Sequence, residues 1–195
     1  MSGVLQAVCT VLPIFGCGPK DVMVPIPQTA AYVNDVSAAK ARIDATAAET
    51  LINDYRVRNG LSRVKLEPRL MKIAQTQADA MAARDLMSHD LPGLGAFKSR
   101  LRAGGYNSVV AAENLGAGYR TLGAAFVGWR NSPGHRENLL LKDVTQLGIA
   151  LAYTPRGRYK AYWAMVVAAP STKPQMADMA MPEHLLGHRA QKKTE

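Results

Sequence analysis

WRNSPGHRENLL, residues Trp129 to Leu140, sets a Pro-Gly pair, a histidine and a glutamate just ahead of an apolar run. The Pro133-Gly134 pair breaks the helix that precedes it and lets the next one begin sharply. His135 then stands at or near a helix start, where the chain turns tightly and a side chain can point into a cleft. Taken alone, the stretch reads more simply as a helix corner with a surface histidine and a solvated Glu137. What lies upstream changes that balance.

Immediately before it, Thr121 to Arg130 has a helical pattern with Phe126 and Trp129 as core anchors. Before that, Val109 to Leu115 is apolar and β-branched at its start, an extended segment that delivers Glu113 and Asn114, with Gly116 and Gly118 expected as the following turn. Ala96 to Ala103 is a short basic helix stopped by Gly104-Gly105. Further back, Val36 to Arg58 places Ile43, Ala47, Leu51, Ile52 and Tyr55 on one helical face, and Asn59-Gly60 supplies a left-handed stop. Glu67-Pro68 opens a second helix with Leu70, Ile73, Ala74, Ala78, Met81 and Ala82 as its stripe. That helix runs to about Asp85, and His89 follows in the sequence MSHD. Downstream, Leu147 to Tyr153 and Tyr159 to Ala168 read as two strands of a hairpin joined through Thr154-Pro155-Arg156-Gly157.

The ends of the chain have a different character. Val4 to Phe15 is an apolar run of signal-peptide length, too short to span a bilayer, and it leads to Gly16-Cys17. The arrangement resembles a bacterial lipobox, although no Lys or Arg precedes the run and Phe15 is bulky for its place. The other reading is an N-terminal segment that packs on the domain. Residues 1–17 are therefore read as a signal peptide with a possible lipobox, 18–35 as a Pro-containing linker, 36–169 as one domain, and 170–195 as a mobile basic tail. The protein is expected to be exported and anchored at Cys17 in the cell envelope, or else secreted.

A chain of 195 residues with 48% hydrophobic composition can bury one substantial core. Its net charge of +9 favours anionic partners such as a membrane or cell-wall surface. The densest basic run is Arg56, Arg58, Arg63, Lys65, Arg69 and Lys72, and it carries no recognition-helix or RNA-binding signature, so nucleic acid is not an expected partner. Both cysteines, Cys9 and Cys17, fall near the N-terminus, which leaves the body of the protein without a disulfide or a thiolate metal site.

Three residues stand out as carriers of chemistry: His89, Glu113 and His135. A carboxylate flanked by Ala111, Ala112 and Leu115 is costly to bury without a partner, and a histidine or a cation would offset that cost. Two imidazoles and one carboxylate suit zinc or a similar divalent cation. The local spacing gives no support of its own, because His-Arg-Glu is not the His-Glu-x-x-His motif and no Pro-Cys-x-x-Cys follows. Ser88 and Ser132 adjoin the two histidines without a nucleophile-elbow sequence. Arg100 could pair with Glu113 or Asp90, but an exposed helix charge is the reading the pattern favours slightly. Asn114 and Asn138 read as structural, and Trp129, Tyr162 and Trp163 as core or cleft wall.

Taken together, MSHD, AENLGAG, WRNSPGHRENLL, LGIALAY and YWAMVVA resemble a bacterial, SCP-like extracellular member of the CAP superfamily, which includes the cysteine-rich secretory proteins, antigen 5 and plant pathogenesis-related proteins. The likeness covers about residues 47–169, with the motifs in the family's order. It implies an α+β fold, an α-β-α sandwich around a small, largely antiparallel sheet, with a cleft lined by His89, Glu113 and His135. It also implies a second cleft acid in the helix before His135, and Trp129 to Ser132 contains none; Glu137 or Ser132 would have to replace it in part.

These readings favour a monomeric, non-catalytic module that binds a divalent cation, and a lipid or small hydrophobic ligand, in its cleft. A metal-dependent hydrolase using Glu113 as base or ligand is the first alternative. An adhesion or host-interaction module that uses only its surface is the second.

Overall fold

The computed structural model describes residues 43–172, together with positions 25, 29, 32 and 35. The expected signal peptide with Cys17, most of the expected linker, the first part of the helix expected from Val36 and the expected tail past residue 172 lie outside the described residues.

Helix α1 (Ala45–Arg58) begins where the Asp44 carboxylate accepts the backbone N–H of Ala47 at 2.9 Å, and it ends at Asn59 and the positive-φ Gly60. The short strand β1 (Lys65–Leu66) follows, an element too brief for any periodicity to announce. Helix α2 (Pro68–Arg84) has its proline in the first turn, Glu67 as N-cap and Asp85 in the left-handed conformation as C-cap. Helix α3 (Phe97–Ala103) is the expected short basic helix. Strand β2 (Ser108–Ala117), helix α4 (Leu122–Asn131), helix α5 (Pro133–Leu139) and strands β3 (Gln146–Tyr153) and β4 (Ala161–Pro170) complete the domain.

The strands lie in the order β1-β3-β4-β2. β1 runs parallel to β3, whereas β3 with β4 and β4 with β2 are antiparallel. Successive residues of a strand face opposite sides of a sheet, and here both sides are covered. Ala161, Trp163, Met165 and Val167 of β4 enter a core with Leu51, Ile52 and Tyr55 of α1, Phe126 and Trp129 of α4 and Leu139 of α5. Tyr162, Ala164, Val166 and Ala168 enter a second core with Leu70, Ile73, Ala78 and Met81 of α2 and Leu101 of α3. The result is an α+β fold, an α-β-α sandwich with a small, largely antiparallel sheet.

Gly148 of β3 shows how closely the layers meet. A Cβ there would lie 2.2 Å from the carbonyl carbon of Leu70, so the first turn of α2 rests directly on the strand. Across the other layer, Tyr55 and Phe126 meet edge to face with ring centroids 5.6 Å apart.

Two local expectations are corrected, and one charged residue is found in the core. Gly116 is not part of a turn: it lies inside β2, against the Tyr119 ring, and Gly118, with φ 81°, makes the turn. The hairpin strand begins at Ala161, not Tyr159, because Lys160 takes a positive φ of 63° and ends the loop there. Arg56, the first member of the densest basic run, is fully buried. Its guanidinium donates to the carbonyls of Ser62, Leu139 and Leu141 at 2.9–3.0 Å and so ties α1 to the end of α5. Burial lowers its pKa from the ordinary arginine value.

Candidate functional site

The site forms at β2, whose pairing partner in the sheet is β4 on one side only. Glu113 and Asn114 are neighbours in this strand, and the strand's two-residue period sends them to opposite faces.

Glu113 turns toward α3. Arg100 Nη2 donates to Glu113 Oε1 at 2.7 Å and to Oε2 at 2.6 Å, and both side chains are almost completely buried. The exposed-helix reading of Arg100 is therefore overturned in favour of the pairing with Glu113. In FKSRLRA the apolar Phe97 and Leu101 turn α3 onto the sheet, and Arg100 lies on the same inward side; its guanidinium also rests 5.5 Å from the Phe97 ring centroid. The flanking apolar residues were the available signal.

His89 meets the same carboxylate from the loop after α2, with Nδ1 2.8 Å from Glu113 Oε1. An ionised carboxylate only accepts, so the shared proton belongs to His89 Nδ1 and the acceptor position of the neutral ring is Nε2. The hydrogen bond to Glu113 raises the His89 pKa, against burial, which lowers it; the Arg100 charge lowers it further and Asp90 raises it. Two loop contacts fix the backbone here. Gln77 Nε2 donates to Ser88 O at 2.7 Å, and Arg100 Nη1 reaches His89 O at 3.4 Å. The Ser88 hydroxyl bonds the backbone of Asp90, which makes it a loop fastener and leaves no serine-histidine pair at His89.

His135 is positioned through Asn114, the next residue of β2. Asn114 Nδ2 donates to His135 O at 2.9 Å, and Asn138 Nδ2 donates to Asn114 Oδ1 at 2.9 Å and to Glu113 O at 3.3 Å. The two asparagines thus hold α5 against the strand, in keeping with their structural reading. Burial lowers the His135 pKa, and the His89 charge lowers it further.

Ser132 and Glu137 are not drawn into this network. Ser132 is the N-cap of α5 without a side-chain capping bond, and Glu137 is exposed. Among the described residues neither hydrogen-bonds His89, Glu113 or His135, so the missing second acid has no evident replacement. Trp129 and Trp163 are buried, their indole N–H groups given to Leu115 O and Tyr119 O at 2.8 Å, and Tyr162 is buried with its hydroxyl on Asp85.

As a metal centre the expected trio does not fit. Among the described residues no group of three His, Cys, Asp or Glu side chains is gathered to hold an ion. The physical reason is Arg100: a guanidinium 2.6 Å from Glu113 already occupies the carboxylate that was expected to be the third ligand. The chemistry left open is that of two imidazoles, one of them oriented by a carboxylate.

A family model described as the cysteine-rich secretory protein family, CAP, matches residues 49–167, which contain every residue of this network. The chain belongs to the CAP family. Among relatives, the uncharacterized protein YkwD of Bacillus subtilis is 27% identical over 125 residues, 63% of this chain and 49% of that protein. The uncharacterized membrane protein YlbC of the same organism is 34% identical over 101 residues, 52% of this chain and 29% of that protein. The chain thus spans half or less of the length of these two relatives. Among solved structures, an extracellular SCP-domain protein of Bacillus anthracis is 30% identical with a TM-score of 0.56, over 63% of this chain and 39% of that one. An outer surface protein of Borrelia burgdorferi shares the fold at 20% identity and a TM-score of 0.57, over 67% of this chain and 98% of that one. No helix among the described residues is long and apolar enough to cross a membrane.

Proposed function

We propose that this CAP domain is a non-catalytic binding module whose cleft presents His89 and His135 to a divalent cation such as zinc, with Glu113 as a positioning residue. The observation that carries this reading is the state of Glu113. Its side chain is 2% exposed, and both oxygens are engaged, one by Arg100 and His89 together and the other by Arg100. A general base has to reach the proton it removes and keep an accessible lone pair. Glu113 has neither reach nor access. What it does is hold His89 in the Nδ1–H form, which leaves Nε2 for a ligand, the arrangement by which carboxylates orient metal-binding histidines. His135, whose pKa burial lowers, supplies the second nitrogen. A cation on these two nitrogens would provide a positive centre to which an anionic or polar ligand can bind.

The hydrolase alternative is tested by a screen of ester and peptide substrates with and without chelator. The expected result is no turnover above background. Activity that Glu113→Gln abolishes would overturn the non-catalytic reading.

We also propose that the domain works outside the cytoplasm, attached through Cys17 or released. The apolar leader before Cys17 and the cysteine-free body support this, as does the extracellular nature of the Bacillus anthracis neighbour. Fractionation of a Cys17→Ser form tests the anchor: it should leave the membrane fraction, and an unchanged distribution would rule the anchor out.

A further inference from the structure

Strand β2 is an edge of the sheet, and helices close that edge at one end only. The backbone N–H groups of Lys65 and Glu67 donate to Thr145 O and Leu147 O, so Gln146, between them, turns its peptide groups toward β4. Gln146 lies opposite Ala168, whose peptide groups are thereby used on β3, and Ala111 of β2 lies on the other side of Ala168. Peptide groups alternate in direction along a strand, so those of Ala111, Glu113 and Leu115 point away from β4. Helices α5 and α4 take the last two carbonyls: Asn138 Nδ2 reaches Glu113 O at 3.3 Å and Trp129 Nε1 reaches Leu115 O at 2.8 Å. Among the described residues, no strand takes up Ala111 on that side. A bare strand edge is a template for pairing with further chain.

Ala111 also lines a cavity of about 340 Å3 between α3 and the start of β2. Phe97, Leu101 and Val110 give this cavity apolar walls, Lys98 and Arg102 bring positive charge, and no acidic residue lines it. The chain leaves the described domain at the same place. Pro170 lies opposite Ser108, and Ser171 N–H donates to Asn107 O at 2.8 Å, with Asn107 and Ser108 both lining the cavity. The sequence that follows has the complementary chemistry. Between Lys173 and Arg189 there is no Lys or Arg, whereas Asp178 and Glu183 stand there with Met176, Met179 and Met181. In an extended chain Met176, Asp178 and Ala180 share one face.

We propose that residues 176–181 of this chain seat as a short strand on the bare edge of β2, with Ala111 as their hydrogen-bonding partner. Met176 enters the cavity against Phe97 and Leu101, and the Asp178 carboxylate meets the cations of Lys98 and Arg102. The four residues from Thr172 to Met176 span up to about 13 Å, enough to carry the chain around the start of β2. Pro182 ends the pairing, because it has no N–H to give. The seat covers the part of the edge that α4 and α5 leave open, and so protects the domain from edge-to-edge association. It does not depend on the role proposed for His89 and His135.

The test is amide hydrogen exchange of the full-length, isotope-labelled chain, read by NMR at Ala111, with Val166 at the buried centre of the sheet as the control for folding. Ala111 is expected to exchange at least tenfold more slowly in the full-length chain than in a chain that stops after Thr172, with Val166 unchanged. In the full-length chain, Asp178→Lys should remove the protection, and adding Lys98→Glu with Arg102→Glu should restore it. Lys98 and Arg102 are exposed, so the fold tolerates these changes. Protection should also be the same across a tenfold range of protein concentration. Equal exchange at Ala111 with and without residues 173–195, or after Asp178→Lys, overturns the proposal. Protection that grows with concentration overturns it as well, because the strand would then come from a second copy.

Discussion

Arg100 reaches across from α3 and bonds both oxygens of Glu113 through one nitrogen, at 2.7 and 2.6 Å, with both side chains almost completely buried. This pair is the basis for the role proposed for Glu113. Both carboxylate oxygens are engaged, and His89 Nδ1 meets one of them at 2.8 Å, so in the proposed account Glu113 orients His89.

Removing one partner of a buried ion pair strands the other charge. Arg100→Ala and Glu113→Gln are each expected to destabilise the domain by about 3–5 kcal/mol, measured by urea denaturation. The apolar double replacement Arg100→Met with Glu113→Leu should recover much of that loss, because it leaves no charge unpaired. Additive losses in the double variant would mean that the pair is not coupled.

The two histidines should titrate on opposite sides of the ordinary value of about 6.5. His89 is raised by its bond to Glu113, so its stabilising contribution is complete below about pH 6.5 and is lost as the pH rises through its higher folded value. His135 is lowered by burial, so its contribution is complete above about pH 6.5 and is lost as the pH falls through its lower folded value. Following both imidazoles by NMR checks the order. Glu113→Gln should bring His89 downward, and His89→Ala should let His135 rise. Coincident titrations would contradict the geometry.

The asparagine contacts set the place of α5. Asn114 is fully buried, and Asn114→Ala leaves Asn138 and the His135 carbonyl without it. A loss of about 1–3 kcal/mol is expected on thermal or urea unfolding. The His135 ring resonances should move while those of His89 change less. A stable variant with an unmoved His135 would show that the asparagines do not position it.

Gly148→Ala would press a methyl group against the Leu70 backbone, which cannot step aside as a flexible side chain could. Overpacking of this kind costs about 1–3 kcal/mol or more. A melting temperature equal to that of the unaltered protein would show that α2 and β3 are less closely packed.

Much of the architecture was legible because its signals are local. Pro68 at the start of α2, Asn59-Gly60 at the end of α1 and the Pro133-Gly134 break between α4 and α5 each fix an element boundary by backbone chemistry alone. His89, Glu113 and His135 were legible as residue types in an ordered set of motifs, and the structure joins His89 to Glu113 directly. Arg100 was misread because a single charge in a seven-residue helix carries no periodicity strong enough to show its face. Its partner lies 13 residues away in another element, a relation that only the packing of α3 on the sheet creates. The same holds for Arg56, whose acceptors Leu139 and Leu141 stand more than 80 positions downstream. β1 was missed because two residues cannot display an alternation.

The central claim, that Glu113 positions a two-histidine binding site, is tested most directly by zinc calorimetry on the full-length chain. The wild type should show a saturable site that is absent from His89→Ala combined with His135→Ala. Glu113→Gln should keep the site but weaken it by about 10–100-fold, the usual effect of losing an orienting partner. Identical traces for the wild type and the double-histidine variant would contradict the account.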